Sequence, residues 1–253
     1  MKKIIALLAL ACLLFTGCIS YFQVLRIKEE SNAASQQVLS SVSEAAALPF
    51  DPVDLAALYA AHSPDTVVGT VGDREITWSE FFYFYGSYIL DVESAMQYYA
   101  QYGYAISWDD IFDETSGTAW RELPAESAVQ DIREYTAISS FSAEKGITLS
   151  EEAEAAVEAS LLDAAREALG EAATLADFES FLAQYYLPVD VYRKMLRTNS
   201  LYNQILTEQY HVTEESDTET LEQARTAFSA DLLPVYDNTV FTWAEGFSLP
   251  SIP

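Results

Sequence analysis

The fold of this chain is decided by residues 66–81, which read TVVGTVGDREITWSEF. The first part alternates and is rich in β-branched residues, and Gly72 and Asp73 are turn residues, so we expect a short hairpin or a strand followed by a turn. Thr77 and Glu80 stand three residues apart, the spacing of a capping box whose hydroxyl and carboxylate satisfy free N–H groups of the first helical turn. A short β element therefore leads directly into a helix.

Periodicity and capping residues predict that the rest of the body is mainly α-helical. The first helix should run from this cap to about Tyr102 and stop at Gly103. Further helices are predicted over about 127–145, 152–169, 174–186 and 189–210, and a last one over about 218–233, before Pro234. Residues 239–243, TVFTW, alternate as a strand does.

The N-terminus has the layout of an export signal. Lys2 and Lys3 precede an apolar run over residues 4–15, and Thr-Gly-Cys follows, which predicts a signal peptide over 1–18 and lipid attachment at Cys18. Residues 19–64 are predicted as a tether or linker and residues 65–253 as the folded domain. Residues 4–25 carry no charge, and roughly 20 apolar residues span a bilayer, so an uncleaved signal anchor is the alternative. Both place the body outside the cytoplasm, anchored to a bacterial membrane.

Charge and cysteine usage exclude several classes of function. The chain has 13 Lys and Arg against 39 Asp and Glu, and four of the basic residues precede Glu29, so the body is more acidic than the whole. Such a surface repels nucleic acid and anionic headgroups, and we expect no nucleic-acid partner. With 50% hydrophobic residues the body should fold all the same. Cys12 and Cys18 are the only cysteines, which leaves none for a disulfide, metal thiolate or nucleophile in the body.

No catalytic or cofactor motif is visible. The sequence has no glycine-rich phosphate loop, no Gly-x-Ser-x-Gly elbow and no His-Glu-x-x-His, and we expect no catalytic residue, cofactor or metal. His62 and His211 are isolated in the sequence and are interpreted as structural. The acidic run at 109–114 lacks the spacing of an EF-hand and is interpreted as a solvated acidic loop.

The first helix and the segment after it carry more aromatic side chains than one helical face can hold. One interpretation is a helix packed on two sides, since most large aromatic residues are buried. The other is an apolar, tyrosine-rich groove for extended polypeptide, because amphipathic rings give contact area at low entropic cost. The candidate polypeptide-binding residues are Tyr83, Phe84, Tyr98, Tyr99, Tyr102, Tyr104 and Trp108.

The order of these elements resembles a known family. Residues 67–81 are similar to the opening of the N-terminal chaperone domain of PrsA-type foldase lipoproteins and SurA-type chaperones, which reads valine-alanine-x-valine-asparagine-glycine-x-x-isoleucine-threonine-x-x-glutamate-phenylalanine. Residues 141–150 (FSAEKGITLS) resemble its helix end and restart, residues 178–196 its short helix, proline and long helix, and residues 211–215 (HVTEE) its next entry. The resemblance covers about residues 65–215 and implies that the C-terminal strand returns to pair with residues 67–71.

The departure from the family defines the functional expectation. A parvulin-type prolyl isomerase domain usually follows this lobe, and residues 216–253 are too few for one. We therefore expect a membrane-tethered, extracytoplasmic holdase that binds unfolded or secreted polypeptides without catalysis. The alternatives are a structural or adaptor lipoprotein with one defined envelope partner and a divergent peptidyl-prolyl isomerase.

Overall fold

The computed structural model describes residues 50–213 and 215–252. The predicted signal peptide, the lipid site at Cys18 and the tether up to residue 49 lie outside these residues and stay predictions. Among the described residues, no helix combines the length and the apolar character that a membrane crossing needs.

The described chain is mainly helical, as predicted, with a few short antiparallel strands. The helices are α1 Leu55–Tyr59, α2 Trp78–Ala100, α3 Leu123–Glu144, α4 Glu151–Leu169, α5 Leu175–Ala183, α6 Val189–Tyr210 and α7 Thr218–Asn238. The strands are β1 Val67–Val71, β2 Arg74–Thr77, β3 Ile111–Asp113, β4 Thr118–Ala119 and β5 Phe241–Trp243.

These elements form two compact units. The larger unit contains residues 53–89 and 122–252, and the smaller unit contains residues 90–121 together with residues 50–52 of the described chain. Helix α2 contributes its first part to the larger unit and its last part to the smaller one.

A three-stranded antiparallel sheet in the larger unit has β1 at its centre, between β2 and β5. The predicted hairpin and the predicted return of the C-terminal strand to β1 are both confirmed: Thr70 pairs with Glu75 of β2 and with Thr242 of β5. Strands β1 and β5 approach very closely at Gly69, where a Cβ atom would lie 2.6 Å from the carbonyl oxygen of Thr242 and 2.7 Å from the Phe241 ring. Only glycine fits there without moving β5.

The start of α2 is half a capping box. The hydroxyl of Thr77 accepts a hydrogen bond from the backbone N–H of Glu80 at 3.4 Å, as predicted. The expected role of the Glu80 carboxylate is wrong: it is buried and binds Arg74 Nη1 at 2.5 Å and Lys194 Nζ at 2.9 Å. A buried carboxylate needs cationic partners, and two lie within reach. Arg74 also donates to the Thr136 hydroxyl at 2.8 Å, so this ion cluster links β2, α2, α3 and α6.

The larger unit begins before the predicted boundary at residue 65. The ring of Tyr59 in α1 contacts Phe82 at 4.9 Å and Tyr186 at 5.0 Å between centroids, and its carbonyl accepts the indole N–H of Trp78 at 2.8 Å. Residues 55–64, placed in the tether by their sequence, therefore cover one side of α2.

The last helix is longer than predicted. Helix α7 continues through Pro234 to Asn238 instead of stopping at residue 233. Arg133 of α3 accounts for the extension, because its side chain donates to the carbonyls of Tyr236 and Thr239 at 3.1 and 2.6 Å. Carbonyl groups in the last turn of a helix lack hydrogen-bond donors within the helix. Here the donor is Arg133, from a distant part of the chain.

Candidate polypeptide-binding site

The structure divides the seven predicted polypeptide-binding residues into two groups. Tyr83, Phe84 and Trp108 are buried, whereas Tyr98, Tyr99, Tyr102 and Tyr104 keep 56%, 41%, 64% and 64% of their surface exposed. Packing in the interior therefore describes the first group, and exposed aromatic surface describes the second.

The three buried residues pack in the interior of their units. In the larger unit, the Phe84 ring contacts those of Tyr83 and Tyr135 at centroid distances of 4.9 and 5.7 Å. In the smaller unit, the carbonyl of Trp108 accepts the backbone N–H of Arg121 at 3.0 Å. None of these three side chains presents a surface to a client, so the two-sided packing of α2 accounts for Tyr83 and Phe84.

The four exposed tyrosines form a connected group at the end of α2 and in the turn that follows. Tyr98 contacts Tyr102 at 5.1 Å and Tyr99 at 5.9 Å, and Tyr99 contacts Tyr104 at 6.4 Å, all with edge-to-face geometry. Gly103 has a φ of +84°, which lets the chain reverse so that the N–H of Tyr104 donates to the carbonyl of Tyr99. The helix end predicted near residues 102–103 thus positions these rings.

Sequence reasoning missed the second half of this surface. The β3–β4 hairpin presents Ile111 and Phe112, each 52% exposed. Phe112 contacts the Trp120 ring at 4.8 Å, and Trp120 contacts Tyr99 at 6.2 Å. The available signal was an adjacent apolar pair beside a turn-forming sequence, DETSG, at 113–117. We call the exposed set the tyrosine surface: Tyr98, Tyr99, Tyr102, Tyr104, Ile111 and Phe112. The buried Trp120 ring contacts both parts of it.

The acidic run beside this surface builds a turn. Asp113 accepts hydrogen bonds from the Thr115 N–H at 2.8 Å and the Ser116 hydroxyl at 2.9 Å, and these bonds lower the pKa of its carboxyl. Gly117 closes the turn with a φ of +76°. Among the described residues, no three His, Cys, Asp or Glu side chains are grouped so that they could hold a metal ion.

The smaller unit is also strongly acidic. Residues 90–121 contain six carboxylates and one basic residue, Arg121. Its guanidinium pairs with Asp109 at 2.5 Å. The tyrosine surface therefore combines exposed rings with a negative surrounding field.

Both histidines occupy structural positions. The His62 Nε2 atom lies 3.1 Å from the carbonyl oxygen of Ser248, and its ring contacts Trp78 and Phe247 at 5.0 and 4.8 Å. His211 ends α6 in a left-handed conformation with a φ of 58°, and its N–H donates to the carbonyl of Leu206.

The chain matches no family model, no curated protein and no solved structure. The resemblance to the SurA/PrsA lobe stays a prediction. The tyrosine surface offers noncovalent contact through flat rings, hydroxyl hydrogen bonds and negative charge.

Proposed function

We propose that this protein is a membrane-tethered extracytoplasmic holdase that binds unfolded or secreted polypeptides on the tyrosine surface. The observation that carries the proposal is the connected group of four tyrosines, each 41–64% exposed. Isolated exposed apolar side chains are ordinary, whereas a contiguous exposed group is typical of an interaction site.

The mechanism is adsorption without covalent chemistry. A tyrosine ring has few rotatable bonds, so it gives a large contact area for little loss of conformational entropy. The contacts among Tyr98, Tyr99, Tyr102 and Tyr104 restrict the rings further. The phenol hydroxyls can bond the backbone of an extended client, which makes the surface tolerant of client sequence.

The membrane tether belongs to the same proposal and rests on the N-terminal sequence. A lipid on Cys18 would hold the body close to the membrane surface across which secreted chains emerge. The net charge of −26 supports solubility when an apolar client is bound.

Light scattering of unfolded clients tests the proposal. Several unrelated, chemically unfolded proteins are diluted into buffer with the full-length protein reconstituted in phosphatidylcholine nanodiscs, and empty nanodiscs are the blank. We expect near-stoichiometric suppression of aggregation for most clients, and at least a several-fold loss of that suppression in Tyr98→Ser/Tyr102→Ser.

The matched control is Leu233→Ser/Val240→Ser, which also removes one helical and one non-helical exposed apolar side chain, both from the larger unit. It should suppress aggregation as the parent does. Absence of suppression with every client would overturn general holdase activity and favour an adaptor with one dedicated partner.

A further inference from the structure

We infer that the tyrosine surface selects cationic clients, that is, extended segments in which Lys or Arg alternates with apolar residues. This inference rests on the proposed function and names the client class of the same site. Three features carry it: the local charge, the exposed tyrosine rings and the engagement of the protein's own cations.

The charge beside the tyrosine surface is mainly negative. Four carboxylates, from Asp109, Asp110, Asp113 and Glu114, lie on or beside the β3–β4 hairpin that presents Phe112. The Asp109 side chain is 79% exposed, and its partner Arg121 is the sole basic residue within 90–121. A cationic side chain that approaches this hairpin meets mainly attraction.

The tyrosine rings are exposed and suit a cation. A Lys or Arg group over a tyrosine face is attracted by the negative electrostatic potential of the ring. In the described chain, the cations found over rings are Arg133 on Tyr236 at 4.1 Å and Lys145 on Phe141 at 5.2 Å, both in the larger unit. Within the described residues, the tyrosine surface is thus not covered in this way by a Lys or Arg side chain.

Many cations of the larger unit are already engaged. Arg74 and Lys194 bind Glu80, while Arg193 pairs with Glu158 at 2.7 Å and Arg197 with Glu154 at 2.5 Å. These pairs neutralise acidic groups there. Within residues 90–121, the four carboxylates of the hairpin have one arginine, Arg121, so they retain negative charge for a cationic client.

Fluorescence anisotropy with two labelled peptides tests the inference. The peptides share length and apolar residues, but one carries four lysines where the other carries four serines. The protein is full length in phosphatidylcholine nanodiscs, and empty nanodiscs are subtracted. We expect the lysine peptide to bind about tenfold more tightly at 50 mM NaCl and less than about threefold more tightly at 500 mM NaCl, because salt screens exposed charges.

Two triple variants with equal loss of charge locate the effect. Asp109→Asn/Asp110→Asn/Glu114→Gln removes charge beside the tyrosine surface and should reduce the preference below about threefold at 50 mM NaCl. The control Glu167→Gln/Glu171→Gln/Glu179→Gln removes three exposed charges of the larger unit and should keep the preference. Near-isosteric amides preserve folding, which far-ultraviolet circular dichroism checks.

Each other outcome counts against a stated claim. Equal binding of both peptides that is lost in Tyr98→Ser/Tyr102→Ser overturns the cationic preference and leaves the holdase proposal standing. Equal effects of the two triple variants overturn the local site, since overall charge would then explain the preference. Failure of both peptides to bind overturns the inference and the proposed site together.

Discussion

The two parts of α2 contain similar residues with opposite surroundings. Trp78, Phe81 and Phe82 in its first part are fully buried, whereas Tyr98 and Tyr102, at and just beyond its last turn, are more than half exposed. In the larger unit, distant segments cover the helix: α1 contributes Tyr59, and β5 contributes Trp243, whose ring contacts Phe81 at 5.4 Å. Aromatic content thus does not decide whether a helix face is core or binding surface; the segment that covers it does.

The largest loss of stability should come from truncating a side chain in the buried first part of α2. Phe82→Ala removes a ring that contacts Tyr59, Trp78 and Tyr186, and should cost about 3–5 kcal/mol of unfolding free energy. Urea denaturation followed by circular dichroism measures it. A loss below about 1 kcal/mol would show that this region is not a packed core and would remove the contrast between the two parts of the helix.

A smaller loss of unfolding free energy should follow from placing a methyl group between strands β1 and β5. Gly69→Ala places a Cβ 2.6 Å from the backbone oxygen of Thr242, and relieving the overlap should cost about 1–3 kcal/mol. Hydrogen exchange should report faster opening of β5. The matched control is Gly86→Ala, where the nearest atom is 3.4 Å away and the helix interior favours alanine by about 0.5–1 kcal/mol. Equal effects of the two substitutions would contradict the close approach of β1 and β5.

The pKa values of Asp131 in the larger unit and Asp113 in the smaller unit are shifted in opposite directions, and the shift of Asp131 predicts a pH dependence of stability. Burial raises the pKa of Asp131 in α3 to about 6, although the hydroxyl of Tyr88 donates to it at 2.9 Å. A pKa raised in the folded state favours the protonated form, so this contribution to stability is complete below the unfolded pKa and is lost as the pH rises through about 6. Stability should therefore increase on lowering the pH from 7 to 5, by about 1 kcal/mol.

Asp131→Asn should flatten this dependence, as thermal unfolding at several pH values would show. The pKa of Asp113 in the smaller unit is lowered by hydrogen bonds, so its contribution is lost only at more acidic pH. An unchanged pH profile in Asp131→Asn would place the dependence on other groups.

The smallest effect on stability should come from the tyrosine surface itself. Tyr98→Ser/Tyr102→Ser removes two exposed rings and should change the unfolding free energy by less than about 1 kcal/mol. The same urea titration used for Phe82→Ala measures it. A change of several kcal/mol would mean that these rings stabilise the fold, and loss of client binding in this variant would then carry no functional meaning.

Sequence predicted the elements with local signals well. The predicted helix over 189–210 agrees with α6, Val189–Tyr210, because Pro188 marks its start, and Thr174 and Asp177 form the predicted cap of α5. These signals act over a few residues, so they can be read without the fold.

The remaining features depend on residues far apart in sequence. The extent of α7 depends on Arg133, and the partners of Glu80 include Lys194. Exposure within the candidate set depends on the fold for the same reason: Tyr83 and Tyr98 have the same chemistry, and only tertiary packing buries one and exposes the other. Burial therefore could not be read from spacing alone.

The pairing of β1 with β5 has a consequence for synthesis on the ribosome. Strand β1 and its neighbour β2 are made early, but the other edge of β1 has no partner until residues 241–243 have been translated. At about 5–20 residues per second that interval is of the order of ten seconds or more. During it, the nascent chain carries an open strand edge and uncovered rings of α2, so a protein proposed to shield unfolded chains would itself need shielding while it is made.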